Sequence, residues 1–276
     1  MPNAAATQQL LRSIWQGFAA SLARDACVLD LATGNGAVLE QLVSVRPDLS
    51  LIGIDYAPSL PAPHFKAIQL RSGVSLEHLP FEARSFDAAT SQFGFEYSDR
   101  SQASAELARV LRKDAPFLFI VHDRSGSLLA ENRERMRALN WIKTSGLLDK
   151  ARGVANARRT TPLATPANFG EACRDARNLF PQEIAAEEIA VAILQTLDAG
   201  RVAGPDPTIA ALDEIESRIA EELFLLQSLD RAACDQSQIA ELAKLLDSAG
   251  LEASKPQPVA GPTGPFAWRL AGRRRD

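Results

Sequence analysis

The chain has 276 residues, room for one large domain or a domain with an insert, and 46% of them are apolar against 23% charged, a globular balance that excludes disordered and fibrous classes. A formal net charge of −4 argues against a surface built to neutralise phosphates, so nucleic acid is not an expected partner. Cys27, Cys173 and Cys234 are odd in number and lack CxxC spacing, which predicts three reduced thiols and no metal site. With no uncharged apolar run of about 18 residues and no leader-like N-terminus, the expected location is the cytoplasm, without a membrane anchor.

Along the chain, Leu10, Leu11, Ile14, Phe18 and Leu22 predict an amphipathic helix over 7–23. Trp15 lies beside that stripe and reads equally as packing or as cover for a bound ligand. A strand at 26–31 then runs through "VLDLATGNGAVLE" into a glycine turn and a helix start, and "LSLIGIDY" supplies a second strand ending at Asp55. The β-α-β order makes these strands parallel, because a crossover returns the chain to the same edge. Pro58, Pro61 and Pro63 remove amide donors from the next link and predict a short or irregular crossover.

"KAIQLRS", "SFDAATSQF" and "APFLFIVHD" read as strands three to five, with a helix over 99–112 carried by Leu107, Val110 and Leu111. The alternation of Phe93, Phe95 and Tyr97 reads as core packing on one sheet face, the alternative for each being a contact with substrate. From 124 to 230 the pattern is helical, basic at first (Arg133, Arg135, Arg152, Arg159) and acidic later (Glu183, Asp213, Glu216, Glu222), which reads as solvated helix faces, the alternative being contacts between the two halves or with an anionic substrate. A last helix closes at Gly250; "LEASKPQPVAG" and "PFAWRLAGR" form two extended segments, and the basic tail, Arg273 to Arg275, is expected to fray.

The glycine turn sets the ligand question. A nicotinamide-binding turn has a third glycine where Leu39 stands, and Asp30 at the strand end would repel a pyrophosphate. Asp55, roughly 20 residues past the glycines, is spaced to meet ribose hydroxyls. A ribose together with a cationic group suggests S-adenosylmethionine.

At "VLDLATGNG", "LIGIDYAP", "LEHLPFEARSFDAATSQFGFEY" and "AELARVLRKDAPFLFIVHD" the chain resembles the class I S-adenosylmethionine-dependent methyltransferases, particularly the small-molecule branch that includes ubiquinone and menaquinone methyltransferases. The resemblance covers 1–123 and 235–272. It implies an α/β fold: a Rossmann-like, seven-stranded, mostly parallel sheet with helices on both faces, and a large helical insert after the fifth strand. The implied domains are 1–123 with 231–276 for the cofactor and 124–230 as the insert. By the same resemblance, Asp30 anchors the methionine amino group, and Ala32, Gly34, Asn35 and Gly36 let the backbone approach the methionine portion. Asp55 accepts from the ribose, Tyr56 flanks the adenine, Ser75 and Leu76 meet its edge, and Gln92 and Phe93 border the cofactor. Ala32 stands where the family has a glycine, tolerable with ordinary dihedrals, and Ser75 replaces an aspartate that binds the adenine amino group.

For chemistry, His122 ends the fifth strand at the ligand edge and is the preferred base candidate, with Asp123 to orient it or to cap the next helix. Glu96 and Tyr97 are further acceptor-site candidates. The insert leaves from the same edge and reads as a lid over a small organic acceptor, the alternative being a homodimerisation element. Amino methylation of nucleic acid would show D/N-P-P-Y/F where this chain has "SQFGFEY". The competing reading is a catalytically inactive cofactor-binding or scaffold protein.

Overall fold

The computed structural model describes residues 2–161 and 169–275. The chain divides into two compact units, Met1–Leu129 with Ala232–Asp276, and Ala130–Arg231. The first division falls after Leu129, because the turn after the fifth strand packs with the first unit. Leu129 is buried there, Ser127 hydrogen bonds Thr263, and a side chain at Gly126 would meet the Phe266 backbone at 2.8 Å.

The first unit begins with helix α1 (Pro2–Ser21), then β1 (Cys27–Leu31), α2 (Ala37–Val45), β2 (Ser50–Ile54), β3 (Ile68–Arg71) and β4 (Ala88–Gln92). Helix α3 (Arg100–Val110) and β5 (Pro116–His122) follow. Its sheet order is β3-β2-β1-β4-β5, all parallel, so the order reverses between β1 and β4. No helix forms between β2 and β3, where the three prolines stand, so this crossover is the irregular one expected.

Strand alternation divides the core. Leu118 and Ile120 face Trp15, Leu39 and Leu42 of α1 and α2, whereas Phe117, Phe119 and Val121 face Leu107 of α3 and Leu242 of the last helix. Both faces of the sheet are therefore covered. Asp99 caps α3 by accepting from the amides of Ser101 and Gln102, satisfying donors a helix start leaves open.

The second unit is helical: α4 (Ser127–Thr144), whose first turn belongs to the sheet unit, then α5 (Leu147–Ala157), α6 (Phe169–Leu179), α7 (Ala185–Ala203) and α8 (Pro205–Ala232). It has its own core, with Leu139, Ile142, Leu148, Ile193, Leu197, Leu212 and Ile219. The charge runs are not simply solvated. Arg135 bridges Glu183 and Glu222, Arg152 meets Asp213 and Glu216, and Arg159 meets Asp206, so the basic half pairs with the acidic half within this unit.

The chain returns to the sheet through α9 (Gln236–Ser248), opened by an Asp235 capping box with Gln238 and closed by Gly250 at φ 89°. Three strands end the fold where two were expected: β6 (Leu251–Ala253), β7 (Gln257–Gly261) and β8 (Gly264–Arg274). The run around Pro256 splits "LEASKPQPVAG", so that β6 pairs with the far end of the 11-residue β8 and β7 with its near end. Strand β8 runs antiparallel to β5, giving an eight-stranded, mostly parallel sheet with helices on both faces. The basic tail is not frayed as expected: Arg273 pairs with Glu252, Arg274 donates to the Leu111 carbonyl and Arg275 pairs with Asp247. No described helix is long and apolar enough to cross a membrane.

Candidate functional site

At the carboxyl ends of β1, β2 and β4, where the strand order reverses, the sheet unit opens a cavity of about 810 Å³. An open parallel sheet holds its ligands at this point, because the crossovers leave in opposite directions and part there. Asp30, Ala32, Gly34, Asn35, Asp55, Tyr56, Ser75, Leu76, Gln92, Phe93 and Tyr97 all line it. Gly36 does not; it is buried at the start of α2 with φ 81° and shapes the turn from beneath.

The turn between β1 and α2 is held by backbone bonds: the Thr33 amide donates to the Ile54 carbonyl at 2.8 Å and the Gly36 amide to the Thr33 carbonyl at 2.9 Å. The ordinary dihedrals that would make Ala32 an easy replacement for glycine are absent. Ala32 sits at φ 53°, a left-handed conformation costing a non-glycine residue about 1–3 kcal/mol, and Phe93 across the cavity does the same at φ 59°. Gly94 explains why the two turns can meet, since a Cβ there would lie 2.3 Å from that of Ala32.

Asp30 is 1% exposed and accepts from Thr33 Oγ1 at 2.6 Å and Thr90 Oγ1 at 2.7 Å. Burial pushes its carboxyl up to about 7; the two hydroxyls oppose this and the nearby Asp55 charge adds to it. A cation brought to Asp30 would therefore meet a carboxyl that ionises at neutral pH. Asp55 is half-buried, accepting from the Gly34 amide at 2.8 Å and the Ala57 amide at 2.9 Å, with further lone pairs open to the cavity.

On the far wall the Ser75 hydroxyl donates to Glu77, whose other oxygen accepts from the Asp99 amide at 2.7 Å. Burial pushes Glu77 up, but these two donors outweigh it and hold the carboxyl below its usual range. Glu77 lines the cavity beside Ser75, a carboxylate without a local sequence signal because it stands two residues away from the expected acidic position.

The acceptor-side candidates fall in two layers. Tyr97 is 48% exposed and lines the cavity, while Glu96 and His122 are buried and do not. They are nevertheless bonded: His122 Nδ1 donates to Glu96 Oε1 at 2.8 Å, and the His122 amide reaches the same oxygen at 3.0 Å. Glu96 Oε2 is buried without a partner. Phe93 stacks on the imidazole at 4.1 Å and Tyr97 meets it edge-on at 6.5 Å, so the pair stands one ring behind the cavity. Burial and the Glu96 charge push the Tyr97 phenol up to about 12.

Asp123 does not orient His122. It accepts from the Ser125 amide and hydroxyl in the turn leading to α4, and Glu96 takes the orienting role. The expected alternation of Phe93, Phe95 and Tyr97 also fails, because β4 stops at Gln92 and Phe95–Tyr97 form a 3-10 turn. That turn buries Phe95 against Phe119 and turns Tyr97 outward. Among the described residues no group of three metal-ligating side chains converges.

Residues 29–119 match the family model described as "Methyltransferase domain". The chain is 36% identical over 104 residues to a ubiquinone/menaquinone biosynthesis C-methyltransferase UbiE of Citrifermentans bemidjiense, covering 34% of this chain and 44% of that protein. It is 40% identical over 91 residues to a demethylmenaquinone methyltransferase of Thermotoga maritima, covering 31% of this chain and 39% of that protein. The match thus spans less than half the length of these relatives. Among solved structures, a chain of the complex between the Haloferax volcanii Trm112 methyltransferase activator and a methyltransferase superposes with a TM-score of 0.50 at 12% identity, covering 100% of this chain and 94% of that one, a likeness of fold.

Proposed function

We propose, on the premise that this chain belongs to the class I S-adenosylmethionine-dependent methyltransferases, that it transfers a methyl group to a small organic acceptor by in-line displacement. The observation carrying this reading is one cavity faced by Asp30 and Asp55 from neighbouring strand ends, with the glycine turn between them. The residues fit the cofactor: an acidic group for its ammonium at Asp30, an acceptor for ribose hydroxyls at Asp55, and an apolar wall at Leu76 for the adenine. Glu77 is the acceptor closest in sequence to the missing adenine-binding aspartate and takes that role here. The cavity is of ordinary size for a cofactor and a small acceptor together.

When bound, S-adenosylmethionine supplies an electrophilic methyl group on a sulfonium. The chain's part is to hold that methyl in line with the nucleophile and to keep water away, which can supply much of the rate. Phe93 and Tyr97 form the acceptor wall. Where the acceptor carries a proton, His122 can take it only once the stacked Phe93 ring moves aside, because the imidazole does not line the cavity; Nδ1 is committed to Glu96, which leaves Nε2 as the basic nitrogen. The helical unit, with its separate core and internal ion pairs, selects the acceptor.

Thermal unfolding with S-adenosylmethionine, S-adenosylhomocysteine and NAD tests the cofactor assignment, since a ligand bound by the native state raises Tm by mass action. The S-adenosyl ligands should stabilise the wild type and fail to stabilise Asp55→Ala. Stabilisation by NAD alone would refute it; S-adenosyl binding without turnover of any acceptor would favour an inactive scaffold.

A further inference from the structure

The chain leaves the sheet after His122 and comes back at Ala232, and these outbound and inbound stretches are tied together inside the sheet unit. Asp123 and Cys234 form a parallel bridge: the Cys234 amide donates to the His122 carbonyl at 2.9 Å and the Arg124 amide to the Cys234 carbonyl at 3.0 Å. Side chains from separate elements close the tie. Arg100 of α3 donates to the Ala232 carbonyl at 2.8 Å, Arg124 to the Ala233 carbonyl at 3.0 Å, and Trp268 of β8 to the Cys234 carbonyl at 3.0 Å. The two arginines thus stand at the carboxyl end of α8, where a helix leaves acceptors unfilled and favours cations.

A stretch that borders the cavity holds this tie. Tyr97 and Ser98 line the cavity, and the residues flanking them bond to the tie instead. On one side Glu96 holds His122 by its amide and Nδ1. On the other, Arg100 Nη2 reaches both the Ala232 carbonyl and, at 3.4 Å, the Glu96 carbonyl. The stretch is stiff: Phe95–Tyr97 form a 3-10 turn, Asp99 caps α3, and the Asp99 amide donates to Glu77, which also lines the cavity. A rigid element bonded at its middle to one site and at its ends to another is the kind of contiguous network that carries coupling.

We propose that residues 96–100 transmit occupancy of the cavity to the paired connections at 123–125 and 232–234, so that a bound cofactor tightens the attachment of the helical unit. This rests on the cofactor reading above. Coupling of this kind is reciprocal, so whatever the helical unit binds in its tightened state raises cofactor affinity by the same factor.

Ala233 and Cys234 are 0% exposed and Asp123 3%, so the bonded amides of Arg124 and Cys234 exchange with solvent only when the tie opens. Hydrogen exchange on the full chain, with and without S-adenosylhomocysteine, measures that opening. In the wild type these two amides should exchange faster than those of β1, and the ligand should slow them by about fivefold or more. Arg100→Met, which keeps the stem and removes the donor, should leave them fast with and without ligand while its Tm still rises. Exchange at Arg124 and Cys234 that ignores the ligand, or that merely follows the β1 amides, overturns the inference and leaves the cofactor reading standing; so does an Arg100→Met variant slowed as much as the wild type. A wild type whose Tm does not respond to the ligand overturns both. If Arg100→Met does not fold, the wild-type measurement alone decides.

Discussion

The two units treat buried charge differently. In the helical unit the acids meet arginines at or near the surface, as Arg135 does with Glu183 and Arg152 with Asp213, and among the described residues the buried polar ones are Arg158, which donates to the Leu197 carbonyl, and Thr208. In the sheet unit Asp30 is buried among hydroxyls and Glu96 against a histidine, with one carboxylate oxygen left open. A charge paired at the surface contributes little and asks for nothing more. A carboxyl held in the interior without a cation is costly unless something else uses it, so the sheet unit is where chemistry is expected.

Removing residues 130–231 and bridging the gap with a short linker gives the largest expected effect. Acceptor turnover should be abolished while the Tm rise with S-adenosylhomocysteine persists; loss of both in a folded variant would break the division of labour.

His122→Asn comes next. It should lower kcat by about 10²–10⁴-fold for an acceptor that must lose a proton, the usual worth of a general base, and leave the cofactor Tm shift intact. The loss should be confined to acceptors that carry a proton; an equal loss for every acceptor would make the Glu96–His122 pair a brace for Phe93 and Tyr97.

Asp30→Asn should sharpen the contrast in buried charge. The native carboxyl titrates at about 7 against an ordinary 3.8, so the folded state holds the extra proton between those values. Ligand-free wild type should therefore lose stability progressively as pH rises from about 4 to 7 and then level off. The variant lacks this decline, so its Tm advantage should be greatest above pH 7 and small near pH 4, while S-adenosyl ligands should no longer raise its Tm. A wild type whose Tm does not respond over this range would contradict the assignment.

The smallest effect is expected in the helical unit. Arg152→Ala removes pairs with Asp213 and Glu216 on a partly exposed face and should cost about 0.2–1 kcal/mol in denaturant unfolding, with kcat and cofactor affinity unchanged.

Local chemistry carried much of this into the sequence. Strands β1 to β5 were legible because apolar runs bounded by turn residues have few other uses, and the parallel order followed from the crossovers. Asp30, Asp55 and the glycine turn were legible because a strand end and a tight turn are local features. Three things escaped because they depend on distant partners. The left-handed Ala32 exists only where Gly94 makes room for it, and the sequence places these two residues in separate elements. The split of the last strands depends on the length of β8, whose two ends take different neighbours. Glu96 replaced Asp123 as the partner of His122, since a 3-10 turn folded the end of "SQFGFEY" back toward β5. The sequence by itself determined the elements, their order and the ligand edge, because these follow from periodicity and turn chemistry within a few residues. Only the tertiary structure decided which polar groups met, because a hydrogen bond between residues 77 positions apart, such as Trp15 to Gln92, leaves no mark in either local pattern.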